Sequence, residues 1–290
     1  MSDSKDKKTV TLSVVNHDRD SAKLRYVYPV ISRRAGGVSV GINLNPNNAC
    51  NWRCIYCQVP ELTRGTAPPV DLVLLEQELT DFLQELLHGD FMQNRVPQDM
   101  RRINDIALSG NGEPTSSAEF AQVIDVIARV RRASGLHDTV KTVLITNGSL
   151  MHREGVQNGL RAMAKINGEV WFKLDRASAA GMSRINDTHT TPDKVCEHLT
   201  TSISLCPTWL QTCWFAVDGA SPSAQDEQDY FAFVASLLRD GNALQGVLLY
   251  GLARPSLQAE AARLSALTRE ELDVFAHKIH ALGVAVKVAD

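Results

Sequence analysis

The sequence lacks any apolar run that approaches the length of a membrane span, and it therefore predicts no transmembrane helix. The charged residues 1–8 are not followed by the apolar core of a signal peptide. Because the chain has six cysteines and shows no export signal, we expect it in the reducing cytoplasm. We expect no membrane partner.

The sequence also lacks an excess of charge of one sign. Its 30 basic and 33 acidic residues leave a net charge of −3 at pH 7. That balance gives no overall positive field for nucleic acid, although a local basic patch would still allow binding. With 44% hydrophobic and 22% charged residues, the composition is that of a globular protein with a sizeable core. The 290 residues suffice for one large domain or two small ones.

Short apolar strands alternate with amphipathic helices along the chain, without an internal repeat or a long linker. The first strand is predicted at 38–45, where every second residue is apolar. Asp71 is a suitable N-cap for a helix that continues to Leu87. Later strands are predicted at 105–109, 142–146, 169–175, 209–217, 246–252 and 284–288, and later helices begin near residues 116, 153, 191, 224 and 268.

This alternation indicates βαβ units with a parallel sheet. Six units predict an α/β fold, a partial (β/α)6 TIM-like barrel whose functional loops lie beyond the carboxyl ends of the strands. We predict an N-terminal extension over 1–37, the barrel over 38–255, and a C-terminal helix and strand over 256–290 that complete the core. Within the extension, 9–15 is predicted as a short strand and 16–37 as irregular.

The loop after the first predicted strand carries Cys50, Cys54 and Cys57 at the spacing C-x3-C-x2-C. Thiolates are soft ligands that suit iron–sulfur clusters, zinc or Cu(I). A [4Fe–4S] cluster held entirely by protein takes four cysteines. Three thiolates from one loop can hold three of its irons and leave the fourth open to another ligand, which is the interpretation that we favour.

Three other interpretations compete with the open-iron cluster. A structural zinc site needs four closed ligands, but no second cysteine pair follows, and the nearest histidines are His17 and His88. A disulfide framework suits short secreted chains. Unrelated buried cysteines would seldom fall three within eight positions. The remaining Cys196, Cys206 and Cys213 match no known spacing, so we expect buried structural thiols there rather than an auxiliary cluster.

Polar residues recur where the predicted strands end. If the barrel forms, these residues face one mouth together with the cysteine loop. A lone Asp or Asn in such a place is usually a turn residue or a helix cap, but the joint placement is harder to explain in that way. The residues are Gly112 and Glu113 after the second predicted strand, Asn147 after the third, Lys173 and Asp175 in the fourth, Asp218 after the fifth and Arg254 after the sixth.

The cysteine spacing resembles the signature of the radical S-adenosylmethionine (SAM) superfamily. The resemblance implies that the three cysteines bind a [4Fe–4S] cluster whose fourth iron is chelated by the amino and carboxylate groups of SAM. Tyr56, directly before the last cysteine, matches the aromatic residue that packs by the adenine. The resemblance extends over roughly residues 38–288. It is specific for the superfamily and much less so for a subfamily.

The segment Gly110-Asn-Gly-Glu-Pro resembles the superfamily's Gly-Gly-Glu segment in its Gly-x-Gly-Glu-Pro variant. The resemblance implies that the glycines let the backbone approach the methionine part of SAM. It also implies that Gly112 and Glu113 accept the amino protons of SAM. Asn111 departs from the strict pattern beside Gly110. We predict that Asn147 joins this cofactor-binding set from the end of its strand.

The segment Trp171-Phe-Lys-Leu-Asp resembles the Lys-Leu-Asp segment of wyosine-synthase-like and activating-enzyme-like members. It implies catalytic roles for Lys173 and Asp175, with Lys173 contacting the SAM carboxylate or the substrate. The alternative is a Lys–Asp pair that satisfies itself inside the barrel. The segment Leu252-Ala-Arg-Pro resembles the strand ending of the same relatives, so Arg254 is expected to bind a substrate anion or to rim the barrel.

The resemblance therefore implies an enzyme that reductively cleaves SAM at the cluster to a 5′-deoxyadenosyl radical, which abstracts hydrogen from a substrate. Flavodoxin or ferredoxin is the expected electron donor. A small molecule, a protein and a tRNA are all open as substrate, and the acidic net charge does not support wyosine-like tRNA modification. A non-catalytic iron–sulfur electron carrier or sensor is an alternative, against which the Gly112–Glu113 segment argues. A zinc-stabilised TIM-like module is another.

Overall fold

The computed structural model describes residues 24–32 and 36–289. Eight strands form one curled sheet whose spatial order follows their order along the chain. The first strand pairs antiparallel with the second, and all later neighbours are parallel. The strands are β1 (Val27–Ser32), β2 (Gly37–Ile42), β3 (Ile103–Leu108), β4 (Lys141–Thr146), β5 (Gly168–Lys173), β6 (Thr208–Cys213), β7 (Gly246–Tyr250) and β8 (Val286–Ala289).

The helices connect successive strands, as the alternating sequence pattern predicts. Asp71 accepts a hydrogen bond from the Leu74 N–H and begins the first long helix. Thr268 and Glu271 form a capping box at the start of the last helix. The helices are α1 (Leu72–His88), α2 (Phe91–Arg95), α3 (Phe120–Ala133), α4 (Glu154–Ala164), α5 (Ala179–Asn186), α6 (Pro192–Leu205), α7 (Ala224–Arg239) and α8 (Arg269–His280).

This curled, mostly parallel sheet with helices between its strands confirms the predicted fold class, a partial TIM-like barrel. The alternating residues of β2 show how the core is divided. Val38, Val40 and Ile42 are fully buried in the main apolar cluster, whereas Ser39 lines the lumen of the half-barrel. The helices cover the first face, and the lumen face is left to the polar residues of a site.

The prediction of an irregular segment over 16–37 is wrong for its described part, because β1 continues the sheet there. Val27 pairs with Ile42 in an antiparallel register. Pro29 disfavours a central strand, but it is tolerated here because β1 lies at the edge of the sheet. The Glu78 carboxylate of α1 accepts the N–H groups of Arg25, Tyr26 and Val27 and fixes the entry to β1. The strand predicted at 9–15 lies outside the described residues.

Two further elements differ from the sequence prediction. The strand predicted at 209–217 is interrupted after Cys213, because Trp214 turns into the core and stacks on Phe275 at 4.1 Å. The remaining stretch, Phe215–Val217, pairs antiparallel with Leu264–Ala266. The helix predicted to begin near residue 116 begins at Phe120, and Ser116 does not cap it, because the Ser116 hydroxyl donates to the Glu113 carbonyl and accepts from the Ala67 N–H. No helix in the described part of the chain is long and apolar enough to cross a membrane.

Candidate functional site

A cavity of about 360 Å³ opens at the carboxyl ends of the strands. It collects residues from the cysteine loop and from most strands of the sheet, as expected for loops at the mouth of a partial barrel. Of the predicted site residues, Asp175 and Asp218 are missing from its wall in the described part of the chain. The wall includes Cys50, Cys54, Cys57, Tyr56, Gly110, Gly112, Glu113, Asn147, Lys173 and Arg254.

The end of α5 holds the cysteine loop in place. The backbone N–H groups of Arg53 and Ile55 donate to the carbonyls of Asn186 and Ile185, at 3.2 and 2.9 Å. These carbonyls are among the last of α5, which have no partner within the helix. The Arg53 guanidinium also pairs with Glu260 at 2.7 Å. The loop is therefore anchored from two distant parts of the chain.

The three cysteines of the loop are free and only partly buried. Burial raises the pKa of Cys50 to about 11 and that of Cys54 to about 12. Both are therefore neutral thiols near pH 7 unless a cation offsets the burial, as bound iron would. The Asn186 amide donates to the Cys54 sulfur over 3.3 Å, a contact that favours the thiolate.

The sulfur positions do not resemble a single-ion site. Among the described residues, no three His, Cys, Asp or Glu side chains converge as ligands of one metal ion. A structural zinc ion needs four ligands around one point. In a [4Fe–4S] cluster each thiolate binds a different iron, so its ligands are spread over a larger body. Three thiols from one loop therefore fit the cluster better than a closed four-ligand zinc site.

The Gly110–Thr115 loop packs directly against the start of the cysteine loop. A Cβ atom on Gly112 would lie 2.1 Å from the Ala49 carbonyl oxygen, so no other residue fits there without movement. Gly110 has φ of +157° and lies against the Asn43 side chain. The packing therefore explains both glycines, and it brings the Gly112 backbone next to the residue that precedes Cys50.

Glu113 is only 2% exposed, and its carboxylate joins two strand ends. It accepts the hydroxyls of Thr115 and Thr146 at 2.6 Å and the N–H of Asn147 at 2.7 Å. Burial raises the pKa of Glu113, and these hydrogen bonds oppose the rise. The carboxylate is thus held rigidly at the cavity wall.

Asn147 reaches the cysteine loop through another asparagine. Its side-chain amide donates to the Asn51 side-chain oxygen at 2.8 Å, and the Asn51 amide donates to Ser149 at 2.7 Å. The end of β4 is therefore tied to the residue that follows Cys50. Asn147 lines the cavity, but its hydrogen bonds give it a positioning role as well.

Lys173 and Asp175 meet through Tyr56. The Lys173 ammonium donates to the Tyr56 phenol oxygen at 2.9 Å, and the phenol donates to Asp175 at 2.6 Å. Asp175 also accepts the N–H of Cys213 and the amide of Asn186. It is 1% exposed and lies beneath Tyr56. Instead of a direct Lys–Asp pair, a chain of hydrogen bonds therefore runs from Lys173 through Tyr56 to Asp175, and we call these three residues the relay. Tyr56 belongs to the loop that holds Cys54.

Ionisation within this relay follows from burial and charge. Burial alone would lower the pKa of Lys173, but Tyr250, Asp175 and Cys54 raise it above its usual value. Burial is also the main reason that the pKa of Tyr56 lies well above its ordinary value. The cavity thus carries an ammonium group next to a neutral phenol.

The other predicted positions differ in their surroundings. Cys213 lines the cavity, Cys206 belongs to the main apolar cluster, and Cys196 packs against that cluster from α6. All three are free and lie on different elements, which agrees with separate structural thiols. Asp218, which was expected at the mouth, pairs instead with Arg263 at 2.7 Å on the exposed surface.

Comparisons of the sequence give weak and partial relationships. No family model matches the chain. It is 28% identical over 159 residues to a UPF0026 protein of Helicobacter pylori, a match that covers 54% of this chain and 44% of that protein. A UPF0026 protein of Methanocaldococcus jannaschii is 26% identical over 162 residues, or 56% and 43% of the two chains. The matches thus span less than half the length of these two relatives.

Comparisons of the structure extend over most of the chain. The structure of TYW1 with a lysine-pyruvate adduct bound matches with a TM-score of 0.52 and 13% identity, over 86% of this chain and 74% of that one. A radical SAM methyltransferase from Sphaerobacter thermophilus matches with a TM-score of 0.54 and 13% identity, over 87% and 66%. The chain has the radical SAM fold. The resemblance drawn from the cysteine motif is confirmed at the level of the fold.

Within this radical SAM fold, the supporting residues could not be found from sequence spacing. Asn51 and Asn186 hold the cysteine loop, yet the partners of Asn186 include Cys54, which lies 132 positions away in the sequence. Asn51 stands inside the motif, but its link to Asn147 is visible only once the strand ends meet. Their one local signal is the amide side chain, which turns and helix ends use just as often.

Proposed function

We propose that this chain is a radical SAM enzyme in which Cys50, Cys54 and Cys57 hold a [4Fe–4S] cluster and the adjoining cavity binds SAM. The supporting observation is that three free thiols and the Gly110–Thr115 loop line one cavity at the mouth of a radical SAM fold. When bound, the cluster supplies the electron that cleaves SAM to methionine and a 5′-deoxyadenosyl radical, which takes hydrogen from a substrate.

In this proposal the chain's own residues mainly bind and orient. The Gly112 backbone and the fixed Glu113 carboxylate would accept the amino protons of SAM. Gly112 packs against Ala49 at the start of the cysteine loop, and Glu113 lines the same cavity as the three cysteines. The Tyr56 ring is held edge-on to Phe215 at 5.3 Å, which fixes it as a wall for the adenine.

Lys173 and Arg254 are cations of the cavity wall, and we assign Lys173 to the carboxylate of SAM or to an anionic group of the substrate. Because its ammonium stays protonated, it would act as an electrostatic donor rather than as a nucleophile. Asp175 would act through Tyr56 and Asn186, since it lies beneath the wall rather than on it. We therefore propose that Asp175 positions Tyr56 and the Cys54 segment.

The reaction needs an external one-electron donor, for which flavodoxin or ferredoxin has the required chemistry. Such a donor and an oxygen-sensitive cluster both suit the reducing cytoplasm that the cysteine content predicts. A small molecule, a protein or a tRNA is open as the substrate. The likeness to TYW1 at 13% identity concerns the fold, and the acidic net charge gives wyosine-like tRNA modification no support.

The test is anaerobic reconstitution with iron and sulfide, followed by dithionite-started turnover with SAM. Mass spectrometry should detect 5′-deoxyadenosine and methionine, with no product from a Cys50→Ala variant. Full cluster content without SAM binding would support an iron–sulfur electron carrier instead. Zinc without iron or sulfide in the purified chain would support the zinc-stabilised module.

A further inference from the structure

Below the proposed cofactor site, the lumen of the half-barrel has a polar wall that the proposed function does not use. Ser39, Asp105, Trp171 and Gln211 all line the same cavity as the cysteines, and we call them the lumen set. Trp171 and Gln211 precede Lys173 and Cys213 by two residues on β5 and β6, and Asp105 of β3 precedes Gly110 by five residues. The lumen set is therefore deeper than the mouth residues.

Gln211, a residue of this wall, has a side-chain acceptor without a hydrogen-bond partner among the described residues. Its side chain is 3% exposed, and its Oε1 atom has no hydrogen-bond partner among the described residues. A buried polar atom without a partner costs free energy, and such atoms in native proteins usually have a bound group to pair with. Gln211 lines the cavity, and a rotation of its side-chain amide would turn the Oε1 atom toward a ligand in the lumen, which would supply the missing donor.

Asp105 adds a carboxylate that no cation of the described chain neutralises directly. It is 5% exposed and accepts a hydrogen bond from the Ser39 hydroxyl. The nearby Lys141 ammonium is paired with Glu169. Lys141 and Glu169 together carry no net charge, so Asp105 leaves the lower lumen acidic.

The Trp171 indole completes the wall as a rigid aromatic surface. Its Nε1–H donates to Glu169 over 2.8 Å, which fixes the orientation of the ring beside the cavity. An aromatic face attracts an ammonium group, and the attraction increases when water is excluded. The wall thus combines a carboxylate, an unpaired amide oxygen and an aromatic ring, all of which favour a protonated amine.

The two ends of the cavity have opposite charge. Lys173 carries an ammonium group at the mouth, whereas Asp105 carries the carboxylate further down. A cavity of about 360 Å³ that must also hold a nucleotide leaves room for a small group only. A substrate that enters with its amine downward would present the rest of its skeleton to the mouth, where the proposed radical forms.

We propose that the lumen set binds the protonated primary amine of a small-molecule substrate, with Asp105 and Gln211 accepting its N–H groups. The proposal rests on the radical SAM function proposed above, since it gives that reaction its substrate class. Asp105 and Gln211 would then determine specificity, and a substrate with an anionic group in place of the amine would be rejected.

The test uses three probes of similar size, namely benzylamine, benzyl alcohol and benzoate. Each is titrated into the full chain, anaerobically reconstituted with iron and sulfide, and binding is followed by saturation-transfer NMR at pH 7.5. We expect benzylamine to bind about tenfold more tightly than benzyl alcohol, since a charge-assisted hydrogen bond replaces a neutral one. Benzoate should not enter the lumen, so any benzoate affinity arises from Lys173 at the mouth and should not fall in Asp105→Asn.

Two lumen variants and one control complete the design. Asp105→Asn should lower benzylamine affinity about tenfold and leave benzyl alcohol unchanged, because it removes charge and keeps shape. Gln211→Leu should weaken both probes. Asp125→Asn, on the exposed face of α3, should change neither. Circular dichroism and thermal melting establish that each variant is folded.

Equal binding of benzylamine and benzyl alcohol, or unchanged benzylamine affinity in folded Asp105→Asn protein, would overturn the proposal. If Asp105→Asn does not fold, the Gln211→Leu variant and the preference among the three probes decide it. The assay needs no SAM cleavage. Absence of 5′-deoxyadenosine in turnover would therefore refute the proposed function separately from the amine preference.

Discussion

The Lys173 ammonium and the Tyr56 phenol oxygen lie 2.9 Å apart, and this hydrogen bond joins β5 to the cysteine loop. The same phenol donates to Asp175, which is buried beneath it. Tyr56 therefore does more than present an aromatic ring to the cavity, because two charged groups meet through its hydroxyl.

Replacing Tyr56 with Phe should destabilise the chain. The variant removes the phenol donor of Asp175 and the closer of two phenol acceptors of Lys173, at a cost of about 1–3 kcal/mol in the free energy of unfolding. Urea denaturation measures this change. Tyr28→Phe is the matched control, since its hydroxyl bonds Ser109 in a partly buried position. An effect at Tyr56 no larger than that at Tyr28 would show that the relay does not matter for stability.

Glu113→Gln should keep the cluster and weaken SAM binding. The variant preserves the size of the side chain but removes the negative charge that would face the amino group of SAM, so affinity should fall about tenfold. Calorimetric titration of SAM into the reconstituted protein measures the change. Glu119→Gln, which alters a carboxylate near the start of α3, is the control. Wild-type affinity in Glu113→Gln would remove the role proposed for Glu113.

Cys54→Ala should abolish cluster binding while the barrel stays folded. The cysteine loop is held by backbone hydrogen bonds to α5 and by Arg53, which the substitution leaves in place. Iron and sulfide analysis after reconstitution should show loss of the cluster, and circular dichroism should show an unchanged helix content. Cys196→Ala, on α6, should bind iron as the wild type does. Wild-type iron and sulfide in Cys54→Ala would contradict the assignment.

The Asp105 carboxyl should make stability depend on pH in acid solution. Burial is the main cause that raises the pKa of Asp105 from 3.8 to about 6. The hydrogen bond from Ser39 and the charge of Lys141 lower this pKa, whereas the charge of Glu169 raises it. The folded state then binds the proton more tightly than the unfolded state, so this group's contribution to stability is present below pH 3.8 and is lost as pH rises to about 6. The loss is on the order of 3 kcal/mol.

Asp105→Asn removes that titration. Its free energy of unfolding, measured by urea denaturation, should therefore rise relative to wild type between about pH 4 and 6. The exposed control Asp125→Asn should show no such trend. A difference between Asp105→Asn and wild type that stays constant over this interval would mean that the pKa of Asp105 is not raised in the folded chain.

Much of the fold could be predicted because it is encoded locally. Residue alternation and caps such as Asp71 place most strands and helices within a few residues of their observed bounds. The elements that the sequence prediction missed depend on tertiary contacts. The edge strand β1 contains a proline, α5 is short, and the break after Cys213 follows from the stacking of Trp214 on Phe275.

The site was predictable to the extent that chemistry is carried by contiguous motifs. The cysteine loop and the Gly110–Thr115 segment could be located from sequence, and the structure brings them to one cavity. The supporting role of Asp175 could not be predicted from sequence, because it depends on hydrogen bonds to Tyr56 and Asn186 from other elements. The lumen position of Gln211 likewise follows from the curvature of the sheet rather than from any pattern.

The central claim is that the three cysteines leave one iron of the cluster open to SAM. The most direct test is electron paramagnetic resonance of the dithionite-reduced, reconstituted protein, recorded with and without SAM. We predict a reduced [4Fe–4S] signal whose g values shift when SAM is added, because SAM binds the open iron. A signal that SAM leaves unchanged, or reconstituted protein without a cluster signal, would contradict the account.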